Sequence, residues 1–282
     1  MIGKPFSEDA ACGMLVGLAV GDALGVGVAG RERGSFSPVS DIEGGGPLDL
    51  TPGSWGEATS MALCLAQMLR SANGWDAEDA MRRFLNWRDH GYLSATRVCF
   101  GMDEETAIAL RRFARDGTPY AARDGGAAQE GNAGIMRLAP IALAYGARVE
   151  SAVAVAQLQS RLTHGGAICE RAAAALAEVL VSADRSRLPR PDAPPEHAGR
   201  DVRQTLHAAF WAVGQSHDFR SSVLRAVNLG GDASRVAAVT GQIAGRLYGY
   251  GAIPRAWRAQ LFDHDKIVRA AEDLYALRPI DA

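Results

Sequence analysis

The sequence predicts an all-α fold. Alanine-rich apolar runs recur along the chain with a spacing that places every third or fourth side chain on one helix face. Alternating runs of β-branched residues, which are typical of half-buried strands, are almost absent. Glycine-rich segments separate the apolar runs, and several of them carry a capping residue just before the next run. These features predict about ten helices packed into a compact helical fold.

The first half of the chain contains four predicted helices. Ser7 is a candidate N-cap for the first, whose apolar residues continue to Val20. The second places Met61 and Met68 near one face, Asp76 is a candidate N-cap for the third, and Gly117 ends the fourth. The predicted ranges are 7–20, 59–72, 77–90 and 104–116.

The second half continues the same pattern around one interruption. The stretch from Arg185 to Arg200 is rich in proline and charge, which predicts a surface excursion at about 185–200. Apolar helices flank it on both sides and neither half alone looks complete, so we predict a single domain over residues 1–282. The predicted helices of this half are 135–145, 149–162, 167–183, 202–215, 221–228, 234–248 and 266–277.

Composition excludes several classes of protein. The chain has 282 residues, a hydrophobic share of 48% and a formal net charge of -2, so it is an ordinary globular sequence. No basic stripe follows a face, which argues against a nucleic-acid partner. The N-terminus lacks a signal peptide, Asp22 interrupts the first apolar run, and the four cysteines form no CxxC pair. We therefore predict a cytoplasmic protein without a membrane partner, and no feature predicts its oligomeric state.

Five glycine-rich loops are predicted between helices. Exposed N–H groups at helix N-termini favour anions such as phosphate, so converging helix ends would form a cleft for a phosphorylated sugar. Taken alone, glycine and aspartate before a helix are more often simple caps than ligand contacts. The five loops are Gly21–Gly25, Gly53–Thr59, Gly131–Arg137, Leu162–Gly165 and Leu229–Arg235.

The ordered set of motifs resembles the ADP-ribosylglycohydrolase family, including its dinitrogenase reductase-activating members. The motifs are GDALG, GSWGEATSMALCLAQML, WRDHGYLS, GNAGIMRLAP, RLTHG and GGDASRVAAVTGQIAGRLYG, and they span Gly13 to about Leu261. The resemblance implies a compact all-α fold with a ligand cleft at helix ends. It also implies a cleft that binds two divalent cations, usually magnesium, and hydrolyses the bond between ADP-ribose and an acceptor.

The two metal motifs of the family are altered in this sequence. Where the family has W-T-D-D-T, the chain has Trp55-Gly56-Glu57-Ala58-Thr59. Where the family has G-G-D-x-D-T, the chain has Gly230-Gly231-Asp232-Ala233-Ser234-Arg235. Magnesium needs near-octahedral oxygen ligands, and a guanidinium remains charged at any working pH. We therefore predict loss of the two-metal centre, no metal or other cofactor, and pairing of Arg235 with Glu57, Asp232 or a ligand phosphate.

The surviving motif positions define the predicted site. Glu57 and Asp232 are the predicted catalytic carboxylates and the residual metal candidates. The resemblance makes Asn132 and Arg137 nucleotide contacts, whereas His164 is as well explained by a structural hydrogen bond as by catalysis. Trp55 either stacks on a base or packs beneath its loop. The predicted ligand-binding residues are Asn132, Arg137, Arg235, Ser234, Thr59, Trp55 and His164.

Three functions remain open at this point. The first is a hydrolase that cleaves an N-glycosidic ribosyl bond of an ADP-ribose-like or nucleotide-derived small molecule without the two-metal centre. The second is a non-catalytic relative that binds ADP-ribose or a nucleotide. The third is an ordinary magnesium-dependent ADP-ribosyl-protein hydrolase. The retention of an acid at Glu57 together with a new arginine at 235 indicates a rebuilt polar site, which favours the first.

Overall fold

The computed structural model describes residues 6–123, 130–186, 188–196 and 198–277. Within these ranges the chain forms α-helices and short 3-10 turns and has no β-sheet, so the predicted all-α fold is confirmed. The α-helices are α1 (Glu8–Gly25), α2 (Glu57–Ala72), α3 (Ala77–His90), α4 (Glu104–Asp116), α5 (Ala133–Met136), α6 (Ala139–Tyr145), α7 (Val149–Arg161), α8 (Ala167–Ser182), α9 (Val202–Gly214), α10 (Phe219–Val227), α11 (Ala233–Tyr248), α12 (Arg255–Gln260) and α13 (His264–Ala276).

Local capping chemistry fixes several helix ends. The Ser7 hydroxyl accepts a hydrogen bond from the Ala10 N–H at the start of α1. Aspartate side chains cap α3, α4, α9 and α10 in the same way. Left-handed glycines Gly91 and Gly117 end α3 and α4. The predicted ranges 77–90 and 104–116 are therefore confirmed, and Asp76 and Gly117 are the capping residues that the sequence named.

The centre of the fold is an antiparallel pair of helices, α1 and α11. Glycines at every fourth position of α1 face the backbone of α11, so the two helices approach closely. A Cβ atom at Gly17 would lie 2.4 Å from the Gly241 carbonyl oxygen, and one at Gly21 would lie 2.0 Å from that of Ala237. The pairing places the C-terminal end of α1 against the N-terminal end of α11, because Gly25 lies beside Ser234.

We expect Gly21→Ala to lower the free energy of unfolding by about 1–3 kcal/mol, because the new methyl group collides with backbone that cannot move without separating two core helices. Urea denaturation measures the effect. The matched control is Gly214→Ala in α9, where the nearest atom to the added Cβ is in the Arg190 side chain at 3.4 Å. A Gly21→Ala variant as stable as this control would contradict the close approach.

The glycine-rich segment Gly21–Gly25 is helical, so the prediction that it forms a loop is wrong. Its glycines serve contact between helices rather than a turn, and α1 continues to Gly25 instead of ending near Val20. The other four predicted loops contain irregular backbone, although α2, α5 and α11 begin inside three of them. Helix α2 begins at Glu57, two residues before the predicted start.

The predicted helix 135–145 is two helices, α5 and α6. The backbone leaves the helical conformation at Arg137. Pro140 lies in the first turn of α6, where a backbone N–H would have no partner within the helix, so proline is tolerated there. Helix α12 has no counterpart in the prediction. The described residues of 185–200 contain no helix, as predicted, but Leu188 and Ala198 are buried against the core rather than lying on the surface.

Helix α1 and the turn after it are apolar. By length and composition alone, Glu8–Val28 would be long enough to cross a membrane, in spite of Asp22. Within the fold, 94% of an 18-residue apolar window of this segment is buried, which is typical of the central helix of a helical core. None of the four cysteines forms a disulfide, and Cys99 is partly exposed while the other three are buried.

Candidate active site

A cavity of about 510 Å³ opens where the N-terminal ends of α2 and α11 meet the C-terminal end of α1. Its charged lining residues are Glu57, Asp232, Arg235 and Arg200. The apolar part of its wall consists of Val26, Pro47, Leu48, Leu50 and Phe100, and the remaining lining is largely glycine. The cavity thus combines an apolar surface with a small set of charged groups, as small-molecule sites do.

Asp22 holds the start of α2 in place. Its Oδ2 accepts hydrogen bonds from the Gly56 N–H at 3.0 Å, the Thr59 N–H at 3.0 Å and the Thr59 hydroxyl at 2.8 Å. Burial raises the pKa of Asp22 to about 6, although these hydrogen bonds oppose the shift. Asp22 therefore acts as a structural cap, and Thr59 is fully buried behind the cavity wall.

The side chain of Arg235 fills the floor of the cavity and is 2% exposed. Its Nε and Nη2 contact Glu57, and Nη1 donates to Asp103 Oδ2 at 2.9 Å and to Asn132 Oδ1 at 2.9 Å. Nη2 also donates to the Gly101 carbonyl oxygen at 3.1 Å. All five N–H donors of the guanidinium are thus directed at protein acceptors. The predicted pairing of Arg235 with Glu57 is confirmed, and Asp232 Oδ2 lies 3.8 Å from Nε.

Three carboxyl groups surround this one guanidinium, and the pKa values of two of them, Glu57 and Asp103, shift in opposite directions. Burial raises the pKa of Glu57 to about 8, and the charges of Asp103 and Asp232 add to the shift while Arg235 opposes it. Asp103 is also desolvated, but Arg235, His164 and the Thr106 hydrogen bonds lower its pKa to about 2. Of these two acids, Glu57 is therefore the one that is protonated more readily. Its Oε2 has no hydrogen-bond partner among the described residues.

Asn132 connects the two ends of the cluster. Its Nδ2 donates to Asp232 Oδ2 at 2.7 Å and to the Thr205 hydroxyl at 2.9 Å, while its Oδ1 accepts from Arg235. The side chain is fully buried and does not line the cavity. In this arrangement Asn132 orients Asp232 from behind.

Arg137 and His164 form a second buried layer. Arg137 donates to the Gln159 side chain at 3.1 Å and to the Thr163 hydroxyl at 2.8 Å, and its guanidinium lies 4.9 Å from the centre of the Phe84 ring. His164 Nδ1 shares a hydrogen bond of 2.8 Å with Thr163, and burial lowers the pKa of His164 to about 4. Both residues are fully buried, and neither lines the cavity.

Trp55 packs beneath its loop. Its ring is 1% exposed and lies 6.2 Å from that of Phe262, and its Nε1–H donates to the Phe262 carbonyl oxygen at 3.0 Å. Of the two possibilities that the sequence left open, the structure has the packed one.

Comparisons with known proteins agree with this fold and site. The profile of the family described as ADP-ribosylglycohydrolase matches residues 4–196 and 178–281. The chain belongs to the ADP-ribosylglycohydrolase family. It is 35% identical to the ADP-ribosylarginine hydrolase Tri1 of Serratia proteamaculans, over 99% of this chain and 82% of that protein. It is 28% identical to the ADP-ribosyl-[dinitrogen reductase] glycohydrolase of Rhodospirillum rubrum, over 98% and 99%.

A solved structure supports the same assignment. The structure titled ADP-ribosylglycohydrolase-related protein complex superposes with a TM-score of 0.82 at 36% identity, covering 96% of this chain and 98% of the other. The resemblance inferred from the motifs and the helical fold class are therefore confirmed.

The family motifs divide between the cavity wall and the layer behind it. Of the predicted site residues, Glu57, Asp232, Ser234 and Arg235 line the cavity. The others, Thr59, Trp55, Asn132, Arg137 and His164, are buried behind the wall and have protein partners there. A direct ligand contact by any of these five remains a prediction that this geometry does not favour.

Sequence reasoning missed Asp103 and Arg200. Asp103 precedes two glutamates and caps α4, so the sequence shows it as an ordinary N-cap. Its Oδ2 also binds Arg235, a contact across 132 positions of sequence that no local pattern encodes. Arg200 is the last residue of the proline-rich excursion, and only the folded chain brings it to the cavity.

One group of described side chains has the spacing of metal ligands. Ligand atoms of Asp103, Glu105 and His164 lie within 4.8 Å of one another, and His164 Nε2 is buried without a hydrogen-bond partner in the described ranges. The prediction that this family member has no metal cofactor is therefore not supported, although this group is not the pair of family motifs. Neither Asp103 nor His164 lines the cavity.

Proposed function

We propose that this protein hydrolyses the N-glycosidic bond between ADP-ribose and an arginine side chain or a similar small acceptor, without the two-metal centre of the family. The observation that carries the proposal is the position of Glu57 and Asp232. Both line the cavity, and both flank the same Nε atom of Arg235. Most glycoside hydrolases use two carboxyl groups that flank the scissile bond. The relatives named as ADP-ribosylarginine hydrolases supply the choice of acceptor.

The two carboxyl groups have different surroundings, because Glu57 contacts Arg235 directly whereas Asp232 accepts a hydrogen bond from Asn132, so we assign them different roles. Asp232 removes a proton from a water molecule as the water oxygen bonds to the anomeric carbon of the ribose. The bond from that carbon to the guanidine nitrogen breaks with its electron pair on nitrogen, and Glu57 donates a proton to this nitrogen. The products are ADP-ribose and the free acceptor, and the proton on Asp232 returns to Glu57 through solvent. The raised pKa of Glu57, about 8, suits it to the role of acid at neutral pH.

Arg235 supplies a fixed positive charge in this scheme. It contacts Glu57 and Asp103 directly and lies close to Asp232, so it offsets the repulsion among the three acids. Four different partners hold the Arg235 guanidinium in place, so its charge is already positioned before substrate binds.

Magnesium does not fit between Glu57 and Asp232. The Arg235 side chain occupies the space between their carboxyl groups. Two like unit charges about 4 Å apart repel by roughly 4 kcal/mol at an effective dielectric near 20. The repulsion between the Arg235 guanidinium and a divalent ion at that distance would be about twice as large. The residues that would hold an ion are Asp103, Glu105 and His164. One imidazole and two carboxylates suit zinc, manganese or iron better than magnesium, and such an ion would supply a Lewis acid.

The test is a turnover assay on ADP-ribosyl-arginine, with mass spectrometry of the products, in magnesium and in EDTA. We expect release of ADP-ribose at the same rate in both, because the proposed acid and base are protein carboxyl groups. Metal analysis of the purified protein accompanies the assay. Cleavage that requires magnesium would refute the metal-free mechanism and favour the ordinary family reaction.

A second candidate, binding without catalysis, is favoured by one observation. The guanidinium of Arg235 pairs with Glu57 and Asp103 in a buried cluster, and carboxyl groups held in this way resist changes of protonation. Under this alternative the protein binds ADP-ribose but releases no acceptor from ADP-ribosyl-arginine in either buffer.

A further inference from the structure

The cavity contains two arginines with opposite surroundings. Every N–H donor of Arg235 is engaged by protein acceptors, so it has none left for a ligand phosphate. Arg200 is exposed and lines the same cavity. No hydrogen bond, ion pair or ring contact joins it to another residue in the described part of the chain. Among the described residues of the wall, Arg200 is therefore the cation that remains free to bind an anion.

The backbone on either side of Arg200 is fixed. The Gly199 N–H donates to the Gln204 side chain at 3.3 Å, and the Thr205 hydroxyl donates to the Gly199 carbonyl at 3.4 Å. One residue earlier, the Ala198 carbonyl accepts from the Asp232 N–H at 2.7 Å. On the other side Asp201 caps α9. An exposed side chain on an anchored backbone is held at the rim of the cavity even though its guanidinium is free.

We propose that Arg200 binds the diphosphate of the substrate and thereby selects ADP-ribosyl compounds over uncharged ribosides. The inference rests on the proposed function, because it assigns part of the same substrate. A guanidinium presents paired N–H donors that match two phosphate oxygens, and such charge-assisted hydrogen bonds are strong. Ser234 lines the same cavity, and a serine side chain can donate a further hydrogen bond. A ligand phosphate was one of three partners predicted for Arg235, and the proposal gives that partner to a residue 35 positions earlier in the chain.

The experiment measures Kd by calorimetry for ADP-ribose and for adenosine, with the wild-type chain, Arg200→Ala and Arg33→Ala. Arg33 is an exposed arginine that does not line the cavity, so its variant controls for general loss of positive charge. We expect Arg200→Ala to raise the Kd for ADP-ribose about 10- to 100-fold, because hydrogen bonds to a charged group are lost. We expect the Kd for adenosine to stay the same, and Arg33→Ala to bind both compounds like the wild type.

Several results would overturn the inference. An unchanged Kd for ADP-ribose in Arg200→Ala would show that Arg200 does not bind the diphosphate. An equal rise of Kd in Arg33→Ala would show that the effect comes from the loss of any positive charge. An equal loss for adenosine would show that Arg200 does not contact the phosphates. The proposed function fails separately, since a wild-type chain that binds ADP-ribose but cleaves no ADP-ribosyl-arginine refutes the hydrolase and leaves the assignment of Arg200 intact. Failure of the wild type to bind ADP-ribose overturns both.

Discussion

Glu57→Gln is expected to lower kcat for ADP-ribosyl-arginine by about 10²- to 10⁴-fold, the usual effect of losing a general acid. The variant suits this test because glutamine resembles a protonated glutamic acid in shape and charge. Its Oε1 still accepts from Arg235, as the Glu57 Oε1 does, so folding and binding of ADP-ribose should be retained. The substitution replaces the acidic O–H group by an amide NH2 group, which cannot protonate a leaving nitrogen.

The pH dependence of the wild type gives an independent check. An acid must be protonated to act, and burial raises the pKa of Glu57 to about 8. The value of kcat/KM should therefore fall as pH rises through about 8, and the residual activity of Glu57→Gln should lack this decrease. The control is Glu104→Gln, because Glu104 is exposed on α4 and pairs with Arg111. Wild-type turnover in the Glu57→Gln variant would exclude Glu57 as the acid.

The sequence predicts the helices of this fold better than the contacts between them. Helices α3 and α4 have capping residues at both ends, so their bounds follow from local chemistry. The conformation of Gly21–Gly25 does not follow from local sequence, because a glycine-rich segment can form either a turn or a close helix crossing. What distinguishes the two is the backbone of α11, which lies more than 200 positions later in the chain.

The candidate site shows the same limit. Motifs alone locate Glu57, Asp232 and Arg235, because these residues stand within the two altered family motifs. They do not show where a side chain points, and the Arg235 guanidinium turns inward to Asp103 and Asn132 rather than out to a ligand. The local sequence identifies Asp103 only as a helix cap, and its ion pair with Arg235 forms only in the folded chain. Charge balance in a buried cluster is a property of three-dimensional contact, so sequence spacing does not reveal it.

Arg235→Met is expected to reduce the free energy of unfolding by about 3–5 kcal/mol, because it leaves buried carboxyl groups without their cation. Methionine keeps most of the length and the apolar stem of arginine, so the decrease in the free energy of unfolding comes mainly from the lost charge rather than from lost volume. Urea denaturation at pH 7 measures it. The control is Arg70→Met, which breaks an exposed pair with Asp273 and should cost less than about 1 kcal/mol. Equal stability of the two variants would show that Arg235 is not an essential counter-ion.

A second substitution in the Arg235→Met background identifies which acid bears the unpaired charge. Arg235 holds the pKa of Asp103 at about 2, whereas that of Glu57 is about 8, so Asp103 is the ionised partner at pH 7. Adding Asp103→Asn should therefore recover most of the lost stability, and asparagine still caps α4. Adding Glu57→Gln should recover little. Without Arg235 the buried acids take up protons more readily, so the deficit of Arg235→Met should be smaller at pH 5 than at pH 8. A deficit that grows on acidification, or that only Glu57→Gln relieves, would reverse the assignment of charge on which the acid role of Glu57 depends.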